Sequence, residues 1–481
     1  MKTNLYLIFF LFSGLCLGQV SRIPPKQLQQ DFRLFKIALL ETHPKLNRVY
    51  DARSFEEVFN NYESLLNDSL TALQFFQIVS SAMSNIGEAH SGVDISDEIK
   101  VQIESVGKLL PLNIHFYKER AFVLKDLSDE EDKLDGNEIT KINGKSINQI
   151  VQQIDSISTI GSGVNQSRIY RKLSYVRNFA LSYYLYVDQS KAFLVEYKED
   201  PDAVEKATVI NGIPSDFEVS TILTPAEETP PFSFAIDEER SLAIIRIKTF
   251  AHFAIGYKQK EYLKFYKACF DQIKKSGVTN LAIDVRGNRG GQERLGAQLL
   301  SYFLKKTFAI QQYIFARELD FEVLDSLKIF HHTFDPKRFH AVDSGYVATD
   351  RKHQALANVE PMKQHRFDGD VFILADGNCF SACNIFVSLA DFHNVGKIVG
   401  EETGGNYHDT DGYPGVIFKL PNSGLEISYR LWYLRTAVES EIYGRGVIPD
   451  ITAQSTVADV LAERDATLEK VYDLIQQAKG Q

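Results

Sequence analysis

Apolar positions recur at three- and four-residue spacing from Pro24 to about Ile86. Phe32, Leu34, Phe35, Ile37, Leu39 and Leu40 predict a first helix, which Pro44 ends. Ser54 with Glu57 three residues on predicts a capping box for a second helix. A third amphipathic run, Leu70 to Ile86, gives way to Gly87-Glu88-Ala89-His90-Ser91-Gly92 and a strand-like Val93-Asp94-Ile95. His90 is therefore expected on a turn between helix and strand. From about Val101 to Tyr197 the pattern shortens to strands. Leu112 to Phe116 alternates, Ala121 to Leu124 follows a charged turn, and Asn143-Gly144 separates two strand-like runs. Ser146 to Ile157 is a helix with Ile147, Ile150, Val151 and Ile154 on its apolar face. Pro201 to Pro231 reads as strands and linker. Beyond it strands alternate with helices: Leu242–Ile247, Tyr257–Lys275, Leu281–Val285, Gln292–Leu304, Val371–Leu374, Ser381–Ala390 and Ile398–Val399. That alternation predicts an α/β fold with a largely parallel, layered core.

Composition narrows the class without naming a chemistry. The 481 residues, with 44% hydrophobic and 24% charged, exclude wholesale disorder. A formal charge of −10 lacks the basic footprint of a nucleic-acid binder. Lys2 followed by the apolar run Leu5–Leu17 and then Gly18 predicts a secretory signal cut near Gly18. That run is too short to span a membrane, which takes about 20 apolar residues. Cys16 follows the bulky Leu15, unlike a lipidation signal, and no later stretch approaches a spanning length. The expected address is the periplasm or the extracellular space. Cys269, Cys379 and Cys383 then remain, too few for a disulfide framework.

Two segments look built for chemistry. In Asp284-Val285-Arg286-Gly287-Asn288-Arg289-Gly290-Gly291 the glycines allow sharp turns and leave backbone N–H groups uncovered, as an anion pocket needs. The segment lacks the phosphate-binding P-loop ending and the dinucleotide fingerprint; a plain tight turn is the other reading. In Leu374-Ala375-Asp376-Gly377-Asn378-Cys379-Phe380-Ser381-Ala382-Cys383 a strand runs into a turn and Ser381 opens a helix. A nucleophilic serine suits that place, because the next N–H can hold a developing oxyanion. An ordinary N-cap serine suits it too.

Together these segments resemble the serine peptidase family of the carboxy-terminal processing (tail-specific) and tricorn-type core peptidases. The resemblance runs from about Asp31 to Ile451. It rests on Gly87-Glu88-Ala89-His90, the 284–291 and 380–382 segments, Ile398 to Gly405, and the run from Gly444 to Asp450. It implies a crotonase/Clp-protease-like layered core, with a helical N-terminal part and an inserted PDZ-like domain. The implied layout is a signal peptide at 1–18, a helical part at 19–100, a PDZ-like domain at 101–200, linker and strands at 201–235, and the peptidase core at 236–481.

The resemblance also implies site roles. Ser381 is the nucleophile, and the N–H groups of Ala382 and of Gly290 or Gly291 form the oxyanion hole. The general-base lysine of the tail-specific branch is replaced here by Asn406, and an amide is no base. The tricorn-type branch uses a histidine before its PDZ-like domain, which matches His90. The serine that precedes that histidine is Ala89 here, so Glu88, Ser91 and Glu441 stand as groups to orient the base, with His408 as a rival base. No cofactor or metal is expected, since His331, His332 and His340 lack a zinc spacing. Partners would be peptide or protein substrates, captured or gated by the PDZ-like part. The activity implied is an exported serine endopeptidase. The alternative is a non-catalytic binder of apolar ligands or peptides on the same fold.

Overall fold

The computed structural model describes residues 21–46, 52–159, 165–215, 230–331, 335–350, 356–440 and 444–479. The secretory-signal expectation lies outside them. None of the described helices is long and apolar enough to cross a membrane.

The predicted alternation of strand and helix builds a central sheet. Its order is Phe232–Asp237, Leu242–Ile247, Asn280–Asp284, Asp370–Ala375, Lys397–Gly400, Ile451–Thr452. Only the first pair is antiparallel; the remaining neighbours run parallel. Successive side chains of a strand point to opposite faces, so each strand serves two layers. Ile245, Ile247, Leu281, Ile283 and Ile373 pack under the helices Gln259–Ser276, Glu293–Leu300 and Ala382–Phe392. Leu242, Ala282, Leu374 and Val399 pack against Val471 and Ile475 of the helix Ala466–Lys479.

A second sheet joins the two ends of the chain. The strand Gly92–Asp94, just after His90, pairs antiparallel with Glu426–Thr436, which in turn pairs with Asp409–Lys419. The N-terminal helices Pro25–Thr42, Ala52–Glu63 and Ala72–Ser84 share one buried cluster with this hairpin through Ile427, Tyr429 and Leu431. Polar bonds fix the same junction. The buried Asp31 carboxylate accepts the Ser423 N–H at 2.7 Å, and the Tyr429 hydroxyl lies 2.8 Å from that of Thr42. A third sheet, Leu112–Tyr117, Arg120–Asp126, Glu138–Ile142, Ala192–Lys198 and Lys206–Asn211, carries the helix Ile147–Ile157. That helix starts with the capping box of Ser146 and Gln149.

Some local expectations change. The second helix begins at Ala52, so Ser54 lies inside it rather than at its cap. The capping box forms one helix later, between Thr71 and Gln74. The helix after the 284–291 loop ends at Leu300, four residues short of Leu304.

Candidate active site

Ser381 leaves the strand Asp370–Ala375 through a turn and stands immediately before the helix Ala382–Phe392. Its φ is 53°, a conformation that side-chain-bearing residues adopt rarely and at a cost. Its side chain caps no helix N–H. The ordinary N-cap reading of this serine is therefore wrong: the residue is at the cap position but does not cap. The helix N-terminus behind it leaves the Ala382 N–H without an intrahelical acceptor.

The glycine loop packs directly on this turn. A β-carbon on Gly290 would fall 2.8 Å from the Ser381 Cβ and 2.7 Å from the Phe380 carbonyl oxygen. Its φ of +103° also requires glycine. Buried Asn288 pins both segments. It accepts the Gly290 N–H on Oδ1 at 2.9 Å, donates Nδ2 to the Ile247 carbonyl at 3.1 Å, and takes the Phe380 N–H on its own carbonyl at 3.2 Å. The Gly290 N–H is thus already committed to a side chain. Asp376 holds the turn from the other side, accepting the Gly287 and Asn378 N–H groups, each at 3.0 Å.

His90 arrives from the far end of the sequence. Its ring stacks on Phe380, the residue before Ser381, with centroids 4.4 Å apart. Among the described residues His90 and Ser381 share no direct hydrogen bond. Glu88 orients the imidazole: Oε1 lies 2.7 Å from Nδ1 and also takes the His90 backbone N–H at 3.1 Å. With Nδ1 so engaged, Nε2 is the nitrogen left for proton transfer. The Glu88 carboxylate is itself buried, and its other oxygen accepts from Lys45 Nζ at 2.8 Å.

The charges in this corner explain one another. Burial alone would raise the Glu88 carboxyl, but the Lys45 charge and then the His90 contact hold it well below the usual carboxylate range. Burial works against the Lys45 ammonium, yet Glu88, Asp411 and Asp409 hold it well above its ordinary value. His90 is pushed below 6.5, first by burial; Glu88 resists, while Arg430 and Arg168 add to the depression. A neutral imidazole at neutral pH is what a general base requires. Behind it His43 is pushed down to about 3 by burial and stays uncharged.

The other predicted groups fall elsewhere. Ser91 Oγ lies 3.2 Å from His43 Nε2 rather than engaging His90. His408 is buried, its backbone carbonyl accepting the Thr436 N–H at 2.7 Å, and burial pushes its imidazole down. Glu441 lies outside the described residues. Asn406 borders the nucleophile helix, accepting Asn384 Nδ2 on its backbone carbonyl at 2.6 Å. Cys379 and Cys383 are free, buried thiols that both point at the Val285 carbonyl oxygen, at 3.1 and 3.8 Å. No cluster of metal-binding side chains occurs among the described residues. Lys45, Asn288 and Arg168 escaped the sequence reading. Only Asn288 had a signal there, its place inside the glycine loop. A polar cavity of about 560 Å³ is lined by Arg286, Arg289, Asp376 and Asp465 among others, and by neither Ser381 nor His90.

The chain has counterparts in sequence and in fold. Residues 241–453 match the family described as Peptidase family S41. That segment is a member of peptidase family S41. The fold of the chain extends the likeness to both ends. A crystal structure of mature CPAF superposes with a TM-score of 0.61 at 16% identity, covering 94% of this chain and 97% of that one. Mature CPAF complexed with lactacystin gives 0.60 at 14% identity, over 94% and 98%. No curated protein matches by sequence.

Proposed function

We propose that this S41 chain is an exported serine peptidase of the tricorn type, cutting peptide bonds through an acyl-enzyme on Ser381. The observation that carries the reading is the His90–Glu88 contact at 2.7 Å, in a histidine stacked beside the uncapped Ser381. In the acylation step Ser381 Oγ attacks the scissile carbonyl and His90 Nε2 takes the hydroxyl proton. The same nitrogen returns the proton to the leaving amine, and water then hydrolyses the ester by the reverse sequence. Oγ and Nε2 close into hydrogen-bond contact when substrate is held, since catalytic contacts often tighten only in that complex. The oxyanion is held by the Ala382 and Gly291 N–H groups. Gly290 serves instead as the residue that fits under Ser381, because its own N–H is given to Asn288.

The layout at 1–18, 19–100, 101–200, 201–235 and 236–481 is part of the proposal. The apolar run 5–17 supports export. The sheet and helix within 101–200 act as a PDZ-like domain on a crotonase/Clp-like core, and deliver extended peptides to the cleft. The test is hydrolysis of a fluorogenic casein by the chain lacking residues 1–18. Wild type should cleave and Ser381→Ala should not. Undiminished cleavage by Ser381→Ala would refute the assignment, and peptide binding without any cleavage would favour the non-catalytic binder.

A further inference from the structure

The polar cavity of about 560 Å³ lies where the parallel strands of the central sheet end. Lys248 follows the strand Leu242–Ile247, Asp284 closes Asn280–Asp284, Asp376 follows Asp370–Ala375, and Glu401 follows Lys397–Gly400. All four residues line the cavity. Ligands of open α/β sheets bind outside the carboxyl ends of the strands. The volume falls within the span of small-molecule sites, roughly 300–1,000 Å³.

The acids of the lining are already spent. Arg171 takes both carboxylate oxygens of Glu401, and Arg286 takes both of Asp465. Asp284 accepts from Arg286 and Arg246. Burial works against the Asp284 carboxylate, but these guanidinium groups hold it down at about 2. Asp376 accepts the Gly287 and Asn378 N–H groups. His115 adds no charge at neutral pH: burial pushes its imidazole down, and Nε2 lies 3.0 Å from the Ser455 carbonyl oxygen.

The cations are not spent. Arg246 gives only Nε to Asp284, at 2.8 Å, and both its terminal nitrogens stay uncommitted among the described residues. Arg289 is exposed and makes no hydrogen bond or ion pair among the described residues. Arg171, Arg246, Lys248, Arg286 and Arg289 together face four carboxylates, which leaves one positive charge in excess. The uncommitted donors come from two separate segments, a strand end and the glycine loop. They suit a tetrahedral oxyanion, which accepts from several directions, better than a planar carboxylate, which takes a single fork. Asn378 sets a second requirement. Its side-chain oxygen is buried with no hydrogen-bond donor among the described residues. Buried polar atoms are normally satisfied, and a ligand hydroxyl would satisfy this one.

We propose that this cavity binds a small phosphorylated compound that also carries a hydroxyl, its phosphate held by Arg246, Lys248 and Arg289 and its hydroxyl by Asn378. The site is separate from Ser381 and His90, neither of which lines it, so the inference does not rest on the peptidase reading. Its occupant would span the glycine loop and the turn before Ser381, through Arg289 and Asn378.

Calorimetry on the chain lacking residues 1–18, with glycerol 3-phosphate at fixed ionic strength, tests the proposal. Binding is expected with a Kd of about 1 mM or tighter. Glycerol and succinate, which lack the phosphate, should bind at least about tenfold more weakly. The Arg289 side chain is exposed, so Arg289→Met should keep the ligand-free Tm of wild type while binding weakens about tenfold or more. Arg289→Lys should recover part of that loss, and Lys248→Met provides a second variant on the facing segment. Three results overturn the proposal: no binding of glycerol 3-phosphate, succinate binding as tightly, or a Kd that neither Arg289→Met nor Lys248→Met changes. Binding is read without turnover, so a chain that binds the phosphate but cleaves no peptide refutes the peptidase reading alone.

Discussion

The two halves of the site are held in place by different physics. The half around Ser381, the proposed nucleophile, is built mainly from backbone, with the Asp376 carboxylate accepting two N–H groups of the turns. Ser381 sits at φ 53°, Gly290 fits beneath it, and Asn288 ties the two segments together. The half around His90, the proposed base, is built from charge taken out of water. Lys45, Glu88 and His90 form a chain of contacts at 2.8 and 2.7 Å, in side chains that are 4, 3 and 12% exposed. Backbone strain fixes one geometry rigidly, whereas a buried charge relay fixes both an orientation and a protonation state. A nucleophilic serine would need only the first; a general base would need both.

The comparison breaks most severely at Lys45. Lys45→Met leaves the Glu88 carboxylate buried without its partner, a loss on the order of 3–5 kcal/mol in denaturant unfolding at neutral pH. The double variant Lys45→Met/Glu88→Gln should recover part of that loss, because both charges go together. Equal stability of wild type and Lys45→Met would show that the pair does not carry the base half.

On the nucleophile half the matching change is Gly290→Ala. A β-carbon there meets the Phe380 carbonyl oxygen at 2.7 Å in a backbone conformation reserved for glycine. The expected cost is about 1–3 kcal/mol, with loss of Ser381 reactivity. Retained activity and stability would contradict the packing argument.

Glu88→Gln sharpens the contrast through pH. In wild type kcat/KM should rise with pH as His90 loses its proton, with a midpoint below 6.5. Glu88 is what holds His90 up against burial, so in Glu88→Gln the midpoint should move lower still while kcat falls. A midpoint that moves upward would contradict that sign. The smallest effect is expected at Cys383→Ala. Its thiol is buried against the Val285 carbonyl and has no part in the proposed steps, so activity should stay within about twofold.

How much of this was legible in the sequence follows the same divide. Features encoded by neighbouring residues could be read: the alternating core strands, the glycine loop, the turn before Ser381, and His90 between helix and strand. Features that depend on distant partners could not. Lys45 lies 43 positions from Glu88 and looks like a residue just past a helix-ending proline. The helix Asn178–Tyr186 is buried all round, so no apolar stripe marks it. The hairpin of Asp409–Lys419 and Glu426–Thr436 is interrupted by a register shift between Gly412 and Gly415, which hides its alternation. Whether Ser381 caps its helix was open for a related reason: cap and nucleophile would share a sequence position, and the backbone angle and missing cap bond, which argue against the cap, appear only in the structure.

The central claim, that a histidine near residue 90 activates a serine near residue 381, has a direct measurement. The chain lacking residues 1–18 is treated with a fluorophosphonate probe, alongside Ser381→Ala and His90→Ala. The account predicts labelled wild type, no label on Ser381→Ala, and a labelling rate roughly 10²–10⁴-fold lower for His90→Ala. A folded wild type that takes no label, or a His90→Ala variant labelled as fast as wild type, would contradict it.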